Sequence, residues 1–264
     1  MKAIPNTKKS LGQHWLHDED SLSAIVQAAD VQAGDTVLEI GPGPGTLTEK
    51  LVATAQTVVA VEFDEDLARE LPMRVPASNL TVTNQDILQF DLTSLPPQYK
   101  VVANIPYYLT SKLLRVLCES SNPFSKASIL IQKEVAQRVC AGPGAMSTLS
   151  VSVQFYCHAH LDALVPAELF TPPPKVDSQV LALTFRDKPL FDVDTKLFFR
   201  IVKAGFAQRR KTLLNSLSGG LHLSREDTTK LLEDSGVSPG TRAQALTMDN
   251  WHDIYQSYAK TLTR

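Results

Sequence analysis

At 264 residues, with 43% hydrophobic and 20% charged positions, the chain has the composition of an ordinary globular protein. It is long enough to bury one large core, or a large one and a small one, and no apolar run is long enough to span a bilayer. The net charge of −2 hides a segregation: residues 1–185 carry 13 Lys and Arg against 19 Asp and Glu, a balance of −6, and residues 186–264 carry 13 against 9, a balance of +4. A basic C-terminal part on an acidic body suggests a localised polyanion contact and argues against a generally basic surface, although unbiased scatter of surface charge stays open on composition alone.

In chain order, a basic arm is followed by residues 20–29, which place Leu22, Ile25, Val26 and Ala29 on one helical face. Residues 36–40 predict a short apolar strand and 46–54 a helix. Residues 57–61 predict a second strand and 64–71 a second helix, whose opening acids suit its N-terminal dipole. Further strands are expected at 80–83, 101–103 and 127–131, with helices at 110–118 and 133–140. This alternation predicts an α/β fold, a largely parallel sheet with helices on both faces. Residues 149–156 and 178–185 then alternate polar and apolar positions on either side of the Pro-rich link Thr171-Pro172-Pro173-Pro174-Lys175, predicting an antiparallel, hairpin-like finish to the sheet.

From Asp187 the pattern is helical only. Residues 195–207 carry Leu197, Phe198, Ile201, Val202 and Phe206 at helical spacing, Ser224 and Asp227 form a capping sequence, and Gly236 is a natural stop. Trp251, Ile254, Tyr255 and Tyr258 form a core stripe on a last helix. The domains are therefore expected to be 1–186 and 187–264. Cys118, Cys140 and Cys157 are odd in number, lack CxxC spacing and sit in apolar-periodic segments, which predicts reduced, buried thiols. The first 15 residues lack the apolar core of a secretory signal, so a cytoplasmic protein is expected.

Four strand ends carry the candidate chemistry. Glu39-Ile40-Gly41-Pro42-Gly43-Pro44-Gly45 lies between the first strand and its helix, where glycines let the backbone approach a ligand and the helix N-terminus adds positive potential. The dinucleotide fingerprint would require glycine at position 46, where Thr46 stands, so a nicotinamide or flavin site fits poorly. Glu62 ends the second strand, where a carboxylate typically accepts ribose hydroxyls, and Asp86 follows the third, placed to accept from an adenine amino group. Asn104-Ile105-Pro106-Tyr107 closes the fourth. The Asn104 amide offers a donor and an acceptor, Pro106 holds neighbouring carbonyls without an N–H of its own, and Tyr107 presents a flat face for a base. Singly, each has a plainer counterpart: a tight turn, a helix N-cap, a loop acid, a strand-to-loop turn. Together they mark the edge of a parallel sheet where a ligand crevice forms.

Lys9-Ser10-Leu11-Gly12-Gln13-His14-Trp15-Leu16, the glycine turn, residues 104–110, residues 172–178 and Phe206-Ala207-Gln208-Arg209-Arg210-Lys211-Thr212-Leu213 occur in the order and approximate spacing of the rRNA adenine N6-dimethyltransferases. The chain resembles that family over essentially its whole length, and its small-subunit branch most. The resemblance implies S-adenosylmethionine as methyl donor and a class I methyltransferase fold, Rossmann-like with a mostly parallel sheet and a small all-helical C-terminal domain. It implies as substrate two adjacent adenosines near the 3′ end of 16S rRNA in the assembling 30S subunit, each dimethylated at N6. Carried over by motif, the cofactor contacts are His14, Leu16, Gly41, Glu62, Asp86 and Asn104. One departure stands out: the arm usually reads Gly-Gln-Asn-Phe-Leu, and here His14 and Trp15 replace Asn and Phe.

Adenine N6 is a poor nucleophile because its lone pair is delocalised into the ring. Acceptors from Asn104 and a backbone carbonyl near Ile105 and Pro106 would hold both N–H bonds out of conjugation, so orientation and electrostatics carry the catalysis. Tyr107 would hold the extruded base, with Phe170 the candidate second aromatic unless it belongs to the core. Arg209-Arg210-Lys211 is the densest basic cluster, either a solvated helix end or, as the resemblance implies, a phosphate contact; Lys8 and Lys9 flank the expected entrance. No metal, no membrane partner and no oligomer are expected. The competing functions are a 23S-directed methyltransferase of the macrolide-resistance type, a non-catalytic ribosome-assembly factor that binds RNA, and a small-molecule or DNA amine methyltransferase.

Overall fold

A computed structural model of the chain describes residues 7, 8 and 11–262. Its elements in chain order are β1 (Trp15–Leu16), α1 (Glu19–Ala28), β2 (Thr36–Ile40), α2 (Thr46–Thr54), β3 (Thr57–Glu62), α3 (Glu65–Arg74), β4 (Leu80–Asn84), β5 (Lys100–Asn104), α4 (Thr110–Glu119), β6 (Lys126–Gln132) and α5 (Lys133–Val139). They continue with α6 (Thr148–Tyr156), β7 (Cys157–Val165), β8 (Phe170–Thr171), β9 (Ser178–Phe185), α7 (Thr195–Phe206), α8 (Leu213–Leu221), α9 (Arg225–Asp234) and α10 (Met248–Leu262).

Seven strands form one sheet in the order β4-β3-β2-β5-β6-β9-β7. The first five are parallel, and β9 runs antiparallel between β6 and β7. The central strands are buried on both faces, as parallel strands covered by helices must be; Val37, Leu38, Val101, Val102 and Ala103 have no exposed surface. Leu22, Ile25, Leu47 and Leu51 of α1 and α2 pack on that core. Because β2 lies between β3 and β5, the chain turns to opposite sides after neighbouring strands, which opens a crevice at their carboxyl ends.

By its internal contacts the chain divides into two compact units. One runs to Gln137 and resumes over Cys157–Phe185; the other comprises Arg138–Tyr156 and the chain from Arg186. This differs from the expected single break after residue 186, because residues 138–156 share their core with the C-terminal helices. Val151 and Phe155 are fully buried in one cluster with Phe198, Ile201 and Trp251.

The same segment overturns a predicted strand. Residues 149–156 alternate, yet they form α6, whose start is held by reciprocal bonds between Ser147 and Ser150 (Ser150 N to Ser147 Oγ 3.2 Å, Ser147 N to Ser150 Oγ 3.0 Å). No residue of α6 is exposed, so its polar–apolar alternation does not report a face. The strand that does pair with β9 is β7, an edge strand with a mostly solvated surface and an irregular register between Leu161 and Leu164. In the helical unit, close helix approach requires glycine: a Cβ on Gly220 would lie 2.6 Å from Ala204 Cβ, and one on Gly205 would overlap the Trp251 ring. Cys118 and Cys157 are buried and in no disulfide; Cys140 is only half-buried, contrary to expectation. Among the described residues, no helix is long and apolar enough to cross a membrane.

Candidate active site

The carboxyl ends of β2, β3 and β5 and the loop after β4 surround a cavity of about 350 Å³, within the range of small-molecule and cofactor sites. His14, Leu16, Gly41, Glu62, Asp86, Asn104, Pro106, Tyr107 and Phe170 all line it. Gly41 and Asn104, 63 positions apart in the chain, thus meet because each lies at the carboxyl end of a strand of one parallel sheet.

The glycine turn after β2 passes through left-handed backbone at Gly41, Gly43 and Gly45 (φ +68°, +57° and +94°). A Cβ on Gly43 would lie 2.8 Å from the Trp15 ring, so the arm and the turn pack in direct contact. Glu62 fastens that turn to the end of β3. Its Oε2 accepts from Gly43 N at 3.1 Å and its Oε1 from Asp64 N at 2.8 Å. Each carboxylate oxygen retains a lone pair, which fits a vicinal diol. Burial pushes the Glu62 carboxyl up; the backbone N–H bonds pull it down only in part, and the Asp64 charge adds to the rise. Asp86 Oδ1 accepts from Leu88 N at 2.9 Å, capping a single 3-10 turn.

Glu39, in β2, is a further buried acid. Both its oxygens, and Thr48 Oγ1, lack a partner within hydrogen-bonding geometry among the described residues. Burial pushes its carboxyl up to about 8, with the nearby Thr48 hydroxyl opposing and the Glu62 charge adding.

Asn104 ends β5, and no hydrogen bond engages its side chain among the described residues. Pro106 O accepts from Leu109 N at 3.1 Å, closing the turn that leads into α4. The Tyr107 hydroxyl and Ser178 Oγ lie 2.8 Å apart, which fixes the ring against the start of β9. Burial pushes the Tyr107 phenol up, with the Ser178 bond opposing.

His14, the residue that departs from the usual motif, is oriented by a backbone carbonyl. Nδ1 lies 2.6 Å from the Pro172 carbonyl, which can only accept, so Nδ1 carries the proton and only Nε2 is free for a ligand. The imidazole also lies nearly parallel to Tyr107, ring centres 6.3 Å apart and planes 19° apart. Phe170 pairs with Leu16 between β8 and β1; its side chain is buried in the core and also reaches the cavity wall.

The Lys8 ammonium binds Asp64 Oδ1 at 2.7 Å and Asp66 Oδ2 at 3.0 Å, while its side chain stays 47% exposed. Gln13 Nε2 adds a bond to Asp64 Oδ2 at 3.1 Å, so the arm is clamped to the start of α3. Burial alone would raise the Asp64 carboxyl, but the bonds from Lys8, Gln13 and Asp66 N hold it below the usual range. Lys9 lies outside the described residues. Arg209, Arg210 and Lys211 belong to the helical unit, where all three are exposed in the turn after α7.

Several residues that line the cavity, or are bonded to its lining, were not singled out from the sequence. Gln13, Trp15 and Ser178 lie inside the quoted motifs, but only the fold gives them partners. Phe63 and Tyr108 line the cavity while remaining 61% and 67% exposed. Their signal was available: a large apolar residue directly beside Glu62 or Tyr107.

Residues 4–260 match the family model described as ribosomal RNA adenine dimethylase. A protein of Dehalococcoides mccartyi named ribosomal RNA small subunit methyltransferase A is 40% identical, covering 96% of this chain and 89% of that protein. A protein of Streptococcus equi subsp. zooepidemicus with the same name is 42% identical, covering 92% and 89%. Among solved structures, a dimethyladenosine transferase from Plasmodium falciparum is similar with TM-score 0.79 at 26% identity, covering 93% of this chain and 97% of that one. The 23S rRNA methyltransferase ErmE is similar with TM-score 0.75 at 26% identity, covering 92% and 98%.

Proposed function

The chain belongs to the ribosomal RNA adenine dimethylase family, and from that premise we propose that it dimethylates N6 of two adjacent adenosines near the 3′ end of 16S rRNA in the assembling small subunit. It is an S-adenosylmethionine-dependent rRNA adenine dimethyltransferase of the class I fold. The small-subunit substrate is favoured over the 23S alternative by identities of 40–42% to the small-subunit proteins, against 26% to ErmE. A cytoplasmic monomer is the working state in this reading.

The observation that carries the proposal is the unbonded Asn104 amide beside Tyr107, in the cavity that Glu62 and the glycine turn also line. The residues present fit the cofactor: a carboxylate with lone pairs to spare for a diol, and a glycine cradle that a Cβ would fill. Glu62 would hold the ribose, Asp86 the adenine amino group, and His14 Nε2, Leu16 and Gly41 the remainder. When bound, S-adenosylmethionine supplies an electrophilic methyl group on a sulfonium.

The chain's own residues orient the nucleophile. The Asn104 side-chain carbonyl accepts one N6–H of the target adenine. The Ile105 carbonyl takes the second, since Pro106 O already accepts from Leu109. With both N–H bonds held, the N6 lone pair leaves conjugation with the ring. Tyr107, anchored through Ser178, and Phe170 enclose the base. Arg209, Arg210 and Lys211 contact RNA phosphates.

The test is to incubate the protein with labelled S-adenosylmethionine and small-subunit particles lacking the dimethyl marks, with large-subunit particles in parallel. Incorporation confined to small-subunit rRNA at the adjacent adenosines is expected. Label in large-subunit particles only, or in neither, would overturn the proposal.

A further inference from the structure

Within the helical unit, charge is sorted a second time. Residues 195–225 hold Lys196, Arg200, Lys203, Arg209, Arg210, Lys211 and Arg225 and not one Asp or Glu. Residues 186–194 and 226–264 have the reverse balance, 6 Lys and Arg against 9 Asp and Glu.

α7 buries Phe198, Ile201, Val202, Ala204 and Gly205, while Lys196, Arg200 and Lys203 are exposed on its other side. At 3.6 residues per turn these three directions fall within about 60° of one another, and at 1.5 Å per residue they span about 10 Å. None of them, and none of Arg209, Arg210 and Lys211 in the turn that follows, forms an ion pair among the described residues.

Helix stability accounts for only part of the row: Lys203, in the last turn of α7, suits the helix dipole, whereas Lys196 sits in the first turn, where a cation opposes it. On α9, by contrast, Lys230 has Glu226, Asp227, Glu233 and Asp234 three and four residues away on either side, the ordinary pattern of a solvated helix.

We propose that the outer face of α7, continuing into the turn after it, is a phosphate track that binds an RNA backbone by charge without reading bases. The proposal rests on the rRNA substrate argued above and extends the RNA contact to three cations of α7. An acidic protein partner fits less well. No large apolar side chain is exposed between residues 195 and 225, so the face lacks the apolar or aromatic anchor that protein interfaces are built around.

The experiment uses the full chain with Lys196→Ala, Arg200→Ala and Lys203→Ala combined, and Lys230→Ala as control. Affinity is measured over a salt series for a naked transcript of the 16S 3′ region and for small-subunit particles lacking the marks. For the triple variant, the slope of log affinity against log salt should flatten by about 2–3, as expected for three lost phosphate contacts. Lys230→Ala should match the wild type. A triple-Gln series repeats the measurement if the Ala series lowers the melting temperature. A wild-type slope on naked RNA overturns the proposal, including the case where affinity falls only for particles, which would put a ribosomal protein on this face. A wild-type chain that neither binds nor methylates small-subunit RNA would instead sink the substrate reading.

Discussion

The cavity at the sheet's carboxyl edge and the outer face of α7 both present charge, and they do so in opposite ways. In the cavity a carboxylate is buried, aimed by two backbone N–H groups, and joined to a turn whose glycines leave no room for a side chain. On α7 the cations are exposed, unpaired and several-fold redundant. The difference teaches what each task needs. Making N6 nucleophilic requires a few groups fixed in a low-dielectric site, where each contributes a large share. Holding a polyanion requires charge density, where each cation adds a small and salt-screened increment. Single substitutions should therefore have large effects in one region and small ones in the other.

The largest effect is expected for Asn104→Ala. Turnover should fall by about two to three orders of magnitude, with RNA affinity within about twofold of wild type. Single-turnover methyl transfer and RNA titration measure the two quantities, and retained turnover would remove Asn104 from the mechanism.

Gly43→Ala comes next. The residue sits at φ +57° with the Trp15 ring 2.8 Å from the new Cβ, so the arm must move away from the turn. Cofactor affinity by calorimetry should drop by about 10- to 100-fold, a loss on the order of 1.4–3 kcal/mol. An unchanged affinity would show that the arm and turn are not a fixed unit.

Glu39→Gln tests burial without ligand contact. A carboxyl raised to about 8 binds a proton in the folded state that the unfolded chain releases near pH 4.5. Stability of the wild type should therefore decline as pH rises from about 4.5 to 8 and level off above. The variant lacks this titration, so its melting temperature should fall less across the same window. Equal pH dependence of the two proteins would mean that Glu39 ionises normally.

The smallest effect belongs to α7. Lys203→Ala alone should weaken RNA binding only a few-fold near physiological salt and flatten the salt slope by about one. A loss as large as that of Asn104→Ala in turnover would erase the contrast between the two regions.

Much of the fold was legible because its signals are local. Runs such as Val101-Val102-Ala103 and the stripe Trp251, Ile254, Tyr255, Tyr258 report strand and helix by spacing alone. The strand-end residues were legible too, since a parallel sheet must bring Gly41, Glu62, Asp86 and Asn104 to one edge. Where the sequence argument failed, burial was the cause. In α6 the alternation of Leu149, Val151, Val153 and Phe155 predicted a strand, but a segment with no exposed residue has no solvent face for its period to report. The edge strand β7, largely solvated, gave too little apolar pattern to be seen.

The sequence by itself determined the order of elements from α1 to α5, the strand-end positions of Gly41, Glu62, Asp86 and Asn104, and the family, because periodicity and short motifs depend only on near neighbours. Tertiary structure alone decided which partner each polar group takes. Lys8 finds Asp64 across 56 residues, and His14 finds Pro172 across 158. Those pairings tie the arm to the start of α3 and leave His14 a single free nitrogen. The cations of α7 stayed unpaired for the complementary reason: no acid among the described residues folds within reach of them. Hydrogen bonds and ion pairs act over a few ångströms of space, and only the folded chain sets those distances.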